Sequence, residues 1–159
     1  ENQPYPYSWT RDIPPYIHMD IIKHFKPTHH IIQVCRDESQ AIDDIDVEVL
    51  TKPMSNMELF GLIQSSDKRL LIDSSLQHIA VALNKPSTVL WVGTSPKVFG
   101  YKTHNNIVAN LKDDDFNLPN SYIFDYNFLG DLHECPIMDQ TTLFDIKTII
   151  ETFNDTPLI

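Results

Sequence analysis

LLIDSSLQHIAVALNKPSTVLWVG, residues 70 to 93, reads as a short buried strand running into Asp73, a two-serine turn, an amphipathic helix, a Lys-Pro break and a second buried strand. Leu76, Ile79, Ala80 and Leu83 stand at spacings of 0, 3, 4 and 7, which puts all four on one helix face. Pro86 ends the helix, because proline has no N–H to give and its ring clashes with the preceding turn. The flanking runs Leu70-Leu71-Ile72 and Thr88-Val89-Leu90-Trp91-Val92 are continuously apolar or β-branched rather than alternating, the pattern of parallel strands covered on both faces. The expected fold class is therefore α/β, a Rossmann-like parallel sheet with helices on both faces.

Polar residues gather where the first of these strands hands over to the helix: Asp73, Ser74, Ser75, Gln77 and His78. A helix start at the carboxyl end of a parallel strand is a place for anions, since the free amides and the positive end of the dipole both favour negative charge. The local alternative is that Ser74 or Ser75 simply caps the helix, worth about 1 kcal/mol, with His78 an ordinary first-turn residue.

The run from Asp73 to Pro96 resembles the signature of the family-9 glycosyltransferases, the heptosyltransferase family of lipopolysaccharide assembly, approximately D-[ST]-G-x-x-H-[LI]-A-A-A-L-x-[KR]-P-x-[VT]-x-L-[FY]-G-x-T-x-P. Asp73, Ser74, His78, Ala80, Ala82, Leu83, Lys85, Pro86, Gly93, Thr94 and Pro96 follow that pattern, with Gly93 one residue beyond the usual aromatic-glycine pair. Ser75 departs from it by standing where the family has glycine. Upstream, Glu58-Leu59-Phe60-Gly61-Leu62-Ile63-Gln64-Ser65-Ser66-Asp67 is similar to the family's E-L-[AF]-x-L-I-x-x-[AS]-D, so the resemblance runs unbroken from about Met54 to Pro96 and more weakly towards both termini. Arg11 matches by its spacing to Pro14 the lysine of a K-x-W-P signature, with Ile13 in place of the tryptophan. Glu38 holds the position of a ribose-contacting glutamate in a loop whose family glycines are missing here.

This resemblance implies the donor-binding, C-terminal half of a two-domain GT-B enzyme, with a separate N-terminal half carrying the acceptor site and the catalytic base. It implies a metal-independent, inverting transfer of a sugar, heptose in the best-known members, from a nucleotide donor to a lipopolysaccharide or related glycan. On that reading no catalytic residue lies in this chain, and the substrate-binding set is Arg11, Glu38, Asp73, Ser74, Ser75, Gln77, His78, Gly93 and Thr94. No metal or organic cofactor is implied; the donor is a nucleotide sugar, an ADP-sugar first, and the acceptor a saccharide or glycolipid reached through the missing half. The full-length protein would be cytoplasmic, peripheral at the inner membrane. Two alternatives remain open: a non-catalytic Rossmann-like binding module, and an enzyme of the sugar-nucleotide epimerase type on the same fold.

The remaining composition bounds the function. The 159 residues make one domain, 1–159, and the start at Glu1 without methionine reads as a piece of a longer protein that isolated would not catalyse transfer. Twelve basic against 22 acidic residues give a formal charge of −10, which disfavours sequence-independent binding to nucleic acid or anionic membrane. Hydrophobic residues make up 42% with no long apolar run, so neither a transmembrane helix nor a signal peptide is expected. Cys35 and Cys135 are the only cysteines, without zinc spacing, and read as isolated thiols. Asp44/Asp46 and Asp113/Asp115 are pairs expected by chance in so acidic a chain. Four glycines, at 61, 93, 100 and 130, leave no room for a dinucleotide fingerprint or a P-loop.

Further elements are expected along the chain. Asp12 is a candidate cap for a helix burying Ile17, Ile21 and Phe25, and 30–35 and 47–50 read as strands. Ser55 to Glu58 forms a capping box for a helix burying Met57, Leu59, Phe60 and Ile63. Lys97 to Tyr101 reads as loop, 107–109 as a short strand, 110–120 as a solvated linker and 122–129 as an edge strand or packed loop. A Cys135-Pro136 element then precedes a closing helix with Leu143, Ile146, Ile149, Ile150 and Phe153 on its buried stripe.

Overall fold

In the computed structural model, residues 10–36, 38–110 and 140–158 are described; the linker and aromatic segment expected within 111–139, and Cys135, lie outside them. The described elements run α1 (Pro15–Phe25), β1 (Ile31–Val34), β2 (Val47–Leu50), α2 (Asn56–Ser65), β3 (Leu70–Ile72), α3 (Ser75–Ala82), β4 (Thr88–Trp91), α4 (Pro96–Phe99), β5 (Asn105–Val108) and α5 (Ile146–Asp155). All observed strand pairings are parallel: β1 with β2, and β3–β4–β5 with β4 in the middle.

The core is built outward from β4, all four of whose residues are buried. Successive strand side chains point to opposite faces, so Leu90, followed by Val92 beyond the strand end, packs with Ile17 of α1, Ile149 of α5, Ala109, Leu143 and Phe144. Val89 and Trp91 face the other way, onto Ile63 of α2 and Leu71 and Ala80 of β3 and α3. Helices thus cover both faces of the parallel sheet, which explains why these strands carry no polar alternation. The buried Trp91 indole donates to Asn106 Oδ1 at 2.8 Å, so its one polar atom is satisfied.

The capping box at Ser55 is present in both directions: Glu58 N–H donates to Ser55 Oγ at 3.3 Å and Ser55 N–H to Glu58 Oε2 at 2.7 Å. The helix it opens buries less than its composition suggests. Ile63 is buried and Leu59 partly so, but Met57 is 79% exposed and Phe60 36%. At 100° per residue only the Leu59–Ile63 side of α2 meets the core, and Met57 falls on the opposite side. Asp12 does not cap α1, whose cap residue is Pro14, with proline at the first helical position. Beyond Pro96, where a loop is expected, one helical turn forms because Ser95 Oγ accepts from Lys97 N–H and Pro96 supplies a pre-set φ.

α3 ends before its proline. Asn84 takes a left-handed conformation, φ 54°, and two reversed hydrogen bonds close the helix: Asn84 N–H to Val81 O at 2.9 Å and Lys85 N–H to Ala80 O at 2.7 Å. This is a Schellman closure, with asparagine in the position glycine usually holds. Pro86 then prevents any continuation.

Candidate functional site

β3 and β4 are neighbouring parallel strands, so whatever follows them lies at one edge of the sheet. After β3 comes Asp73, 5% exposed; after β4 come Gly93 and Thr94, both buried. The segment Thr10-Arg11 ties the two together. Gly93 N–H donates to Thr10 O at 2.8 Å, and Arg11 Nε lies 3.3 Å from Asp73 Oδ2, an ion pair without the alignment of a hydrogen bond. The Arg11 side chain is 56% exposed against 7% for Asp73, so the guanidinium keeps most of its donors towards solvent.

α3 begins immediately after Asp73. Ser74 is its cap residue in extended conformation, yet its side chain makes no capping hydrogen bond. The local alternative for Ser74, a side-chain cap, is therefore not what forms; Gln77 N–H donates to Ser74 O at 3.3 Å, while the hydroxyl leaves the Ser75 and Leu76 amides uncovered. Ser75 is exposed at the first helical position. Thr94 Oγ1 is buried without a hydrogen-bond partner.

Gln77 and His78, adjacent on α3, have opposite fates. Gln77 is fully buried: its Nε2 donates to Phe99 O at 3.1 Å and lies 3.4 Å from Asp73 Oδ1, while its Oε1 has no partner. His78 is exposed, and its Nδ1 lies 2.9 Å from the Tyr101 hydroxyl with the rings edge to face.

Behind Gln77 sits a residue that the sequence does not single out. His104 is buried between two backbone groups, Ser87 N–H donating to its Nδ1 at 3.2 Å and its Nε2 facing Gln77 O at 3.0 Å. One partner can only donate and the other can only accept, so the ring is neutral with its proton on Nε2. Burial pushes its pKa below the usual imidazole value, and the positive charges of Arg69 and of His78 when protonated act in the same direction; the Gln77 carbonyl opposes them. Neither Tyr101 nor His104 has a local pattern to mark it: they meet α3 from 23 and 27 residues away in sequence.

The structure thus brings Arg11, Asp73, Ser74, Ser75, Gln77, His78, Gly93 and Thr94 to one sheet edge. Glu38 is exposed on a 3₁₀ turn that follows the carboxyl end of β1, and among the described residues no hydrogen bond or ion pair joins it to the others. Cys35 is a buried cysteine. Among the described residues no group of three or more His, Cys, Asp or Glu could hold a metal ion, and no helix is long and apolar enough to cross a membrane. His30, just before β1, pairs with Glu48 of β2 at 2.9 Å.

Chemically, the edge combines uncovered helix amides, a cation held by a buried carboxylate and an exposed imidazole. It can hold an anion through α3 and Arg11 and orient a polar group against His78.

The fold is a parallel-sheet α/β architecture similar to that of a GT-B heptosyltransferase. One solved structure it is similar to is "E. coli heptosyltransferase WaaC with ADP", at a TM-score of 0.54 and 20% identity over 63% of this chain. The match covers 34% of that protein, so the chain spans about a third of its length. No family model matches the chain, and no curated protein matches it.

Proposed function

We propose that this chain is the donor-binding part of a glycosyltransferase, holding the diphosphate of a nucleotide sugar at the carboxyl edge of β3 and β4. One observation carries the reading: an uncovered helix start, Arg11 and the buried Gly93–Thr94 turn converge on adjacent parallel strands. The α3 amides and the Arg11 guanidinium would neutralise the leaving diphosphate, which supplies leaving-group stabilisation without a metal. His78 would contact the sugar or its phosphates. Asp73 would keep Arg11 in place rather than act as a base, because it is already committed to the cation.

The heptosyltransferase of similar fold was solved with ADP, which supports an adenosine diphosphate donor with a heptose-like sugar; the acceptor would be a lipopolysaccharide or related glycan. The acceptor site and the catalytic base would come from a second domain, with the full protein working at the cytoplasmic face of the inner membrane. Ser75 in place of glycine and the glycine-poor loop at Arg36 favour a second reading, a non-catalytic module that uses the same edge for a ligand.

Calorimetric titration of the chain with ADP, UDP, GDP and CDP, repeated on Arg11→Ala and His78→Ala, tests the proposal. Saturable binding of one diphosphate, weakened about tenfold by Arg11→Ala through loss of a charge-assisted contact, is the expected result. No binding of any of the four at millimolar ligand would overturn it.

A further inference from the structure

His78 is exposed, yet one edge of its ring is held. Nδ1 lies 2.9 Å from the Tyr101 hydroxyl, and the Tyr101 ring meets it edge to face with centroids 5.5 Å apart. Tyr101 is itself fixed through its backbone. Its carbonyl accepts from Asn106 Nδ2 at 2.9 Å and from His104 N–H at 3.2 Å, and two residues earlier Phe99 O accepts from Gln77 Nε2. The Tyr101 ring also packs edge to face on buried His104, centroids 6.0 Å apart. A turn clamped this many ways to α3 and β5 is a rigid support for a phenol. Among the described residues, Nε2 of His78 makes no hydrogen bond, and that edge of the ring stays open.

We propose that Tyr101 is a positioning residue: its hydroxyl donates to His78 Nδ1, which fixes the ring and places the proton of the neutral imidazole on Nε2, the open edge at the amino end of α3. A phenol donates readily to an imine nitrogen, and the hydrogen bond made by one ring nitrogen decides which one is protonated. The neutral ring therefore offers N–H, not a lone pair, to an incoming phosphate oxygen. This rests on the donor-site reading for its consequence, though not for its geometry.

Long-range ¹H–¹⁵N correlation spectra of the imidazoles at about pH 8.5, above the imidazole range, test the geometry directly, on the wild-type chain and on Tyr101→Phe. His78 should be protonated at Nε2 in the wild type, and the Nδ1–H form should rise in the variant. ADP titration reads the consequence: Tyr101→Phe should weaken binding about threefold to tenfold, and should have no effect in a His78→Ala background. An Nδ1-protonated His78 in the wild type, a tautomer unmoved by Tyr101→Phe, or an equal loss of affinity in the His78→Ala background would each overturn the proposal. A wild type with the expected tautomer and no ADP binding would support the role of Tyr101 and overturn the donor-site reading.

Discussion

Gln77 holds the candidate site together from underneath. Its amide donates to the Phe99 carbonyl and its own carbonyl faces His104, so one buried side chain and its backbone link α3 to the turn before β5. Gln77→Leu keeps most of the volume but removes the Gln77 hydrogen bond to the Phe99 carbonyl, at a cost of about 1 kcal/mol; a shifted urea midpoint would show it. Ser74 offers the contrast. Because its hydroxyl makes no capping bond, Ser74→Ala should change stability by less than about 0.5 kcal/mol, while an unchanged affinity for a bound diphosphate would remove Ser74 from the binding set. Sequence reading reaches Asp73, Ser74 and His78 because they stand within one turn of each other. Tyr101 and His104 stay out of reach, since their partners are set by how the chain returns to the sheet and not by any neighbour in sequence.

At the scale of elements, what is legible is what is local. The Ser55–Glu58 box needs only four residues, and it forms; Ser55→Ala should cost about 1 kcal/mol, read by thermal or chemical unfolding. The heptad-like spacing of α3 identifies its inner face, with Ala80 buried and Leu76, Ile79 and Leu83 packed against the same cluster. Its closure is not legible in the same way. Lys85-Pro86 marks the end, but the left-handed Asn84 that makes it depends on backbone geometry that asparagine permits without requiring. Asn84→Ala, which forces a Cβ-bearing residue without a helpful polar group into φ 54°, should cost about 1 kcal/mol. α2 shows the opposite error. Met57 and Phe60 are apolar and helical, but a short helix against a sheet has one inner face, and composition alone does not say which side it is.

For the whole molecule, acid should act through partly or fully desolvated imidazoles before it acts through carboxylates. Burial lowers the pKa of both His18 and His104, so the unfolded chain takes up protons that the folded one resists. Their contribution is fully present above the ordinary imidazole value of about 6.5 and is lost as pH falls through the lowered folded values. Asp44, Glu58 and Asp145 are held below the usual carboxylate range by their hydrogen bonds, and their contribution disappears at lower pH still. The thermal midpoint should therefore fall as pH drops below the ordinary imidazole value of about 6.5, and His104→Gln should flatten the first part of that fall. The parallel-sheet class is legible from continuous apolar strands separated by one amphipathic helix, because burial on both faces leaves no room for polar alternation. The donor-site reading needs the sheet edge to work as one surface, and amide chemical-shift mapping with ADP tests that most directly. The predicted result is shifts concentrated at Ser75, Leu76, Gln77, Gly93 and Thr94, the amides around the start of α3 and the end of β4. Shifts absent at millimolar ADP, or clustered on β1 and β2 instead, would contradict it.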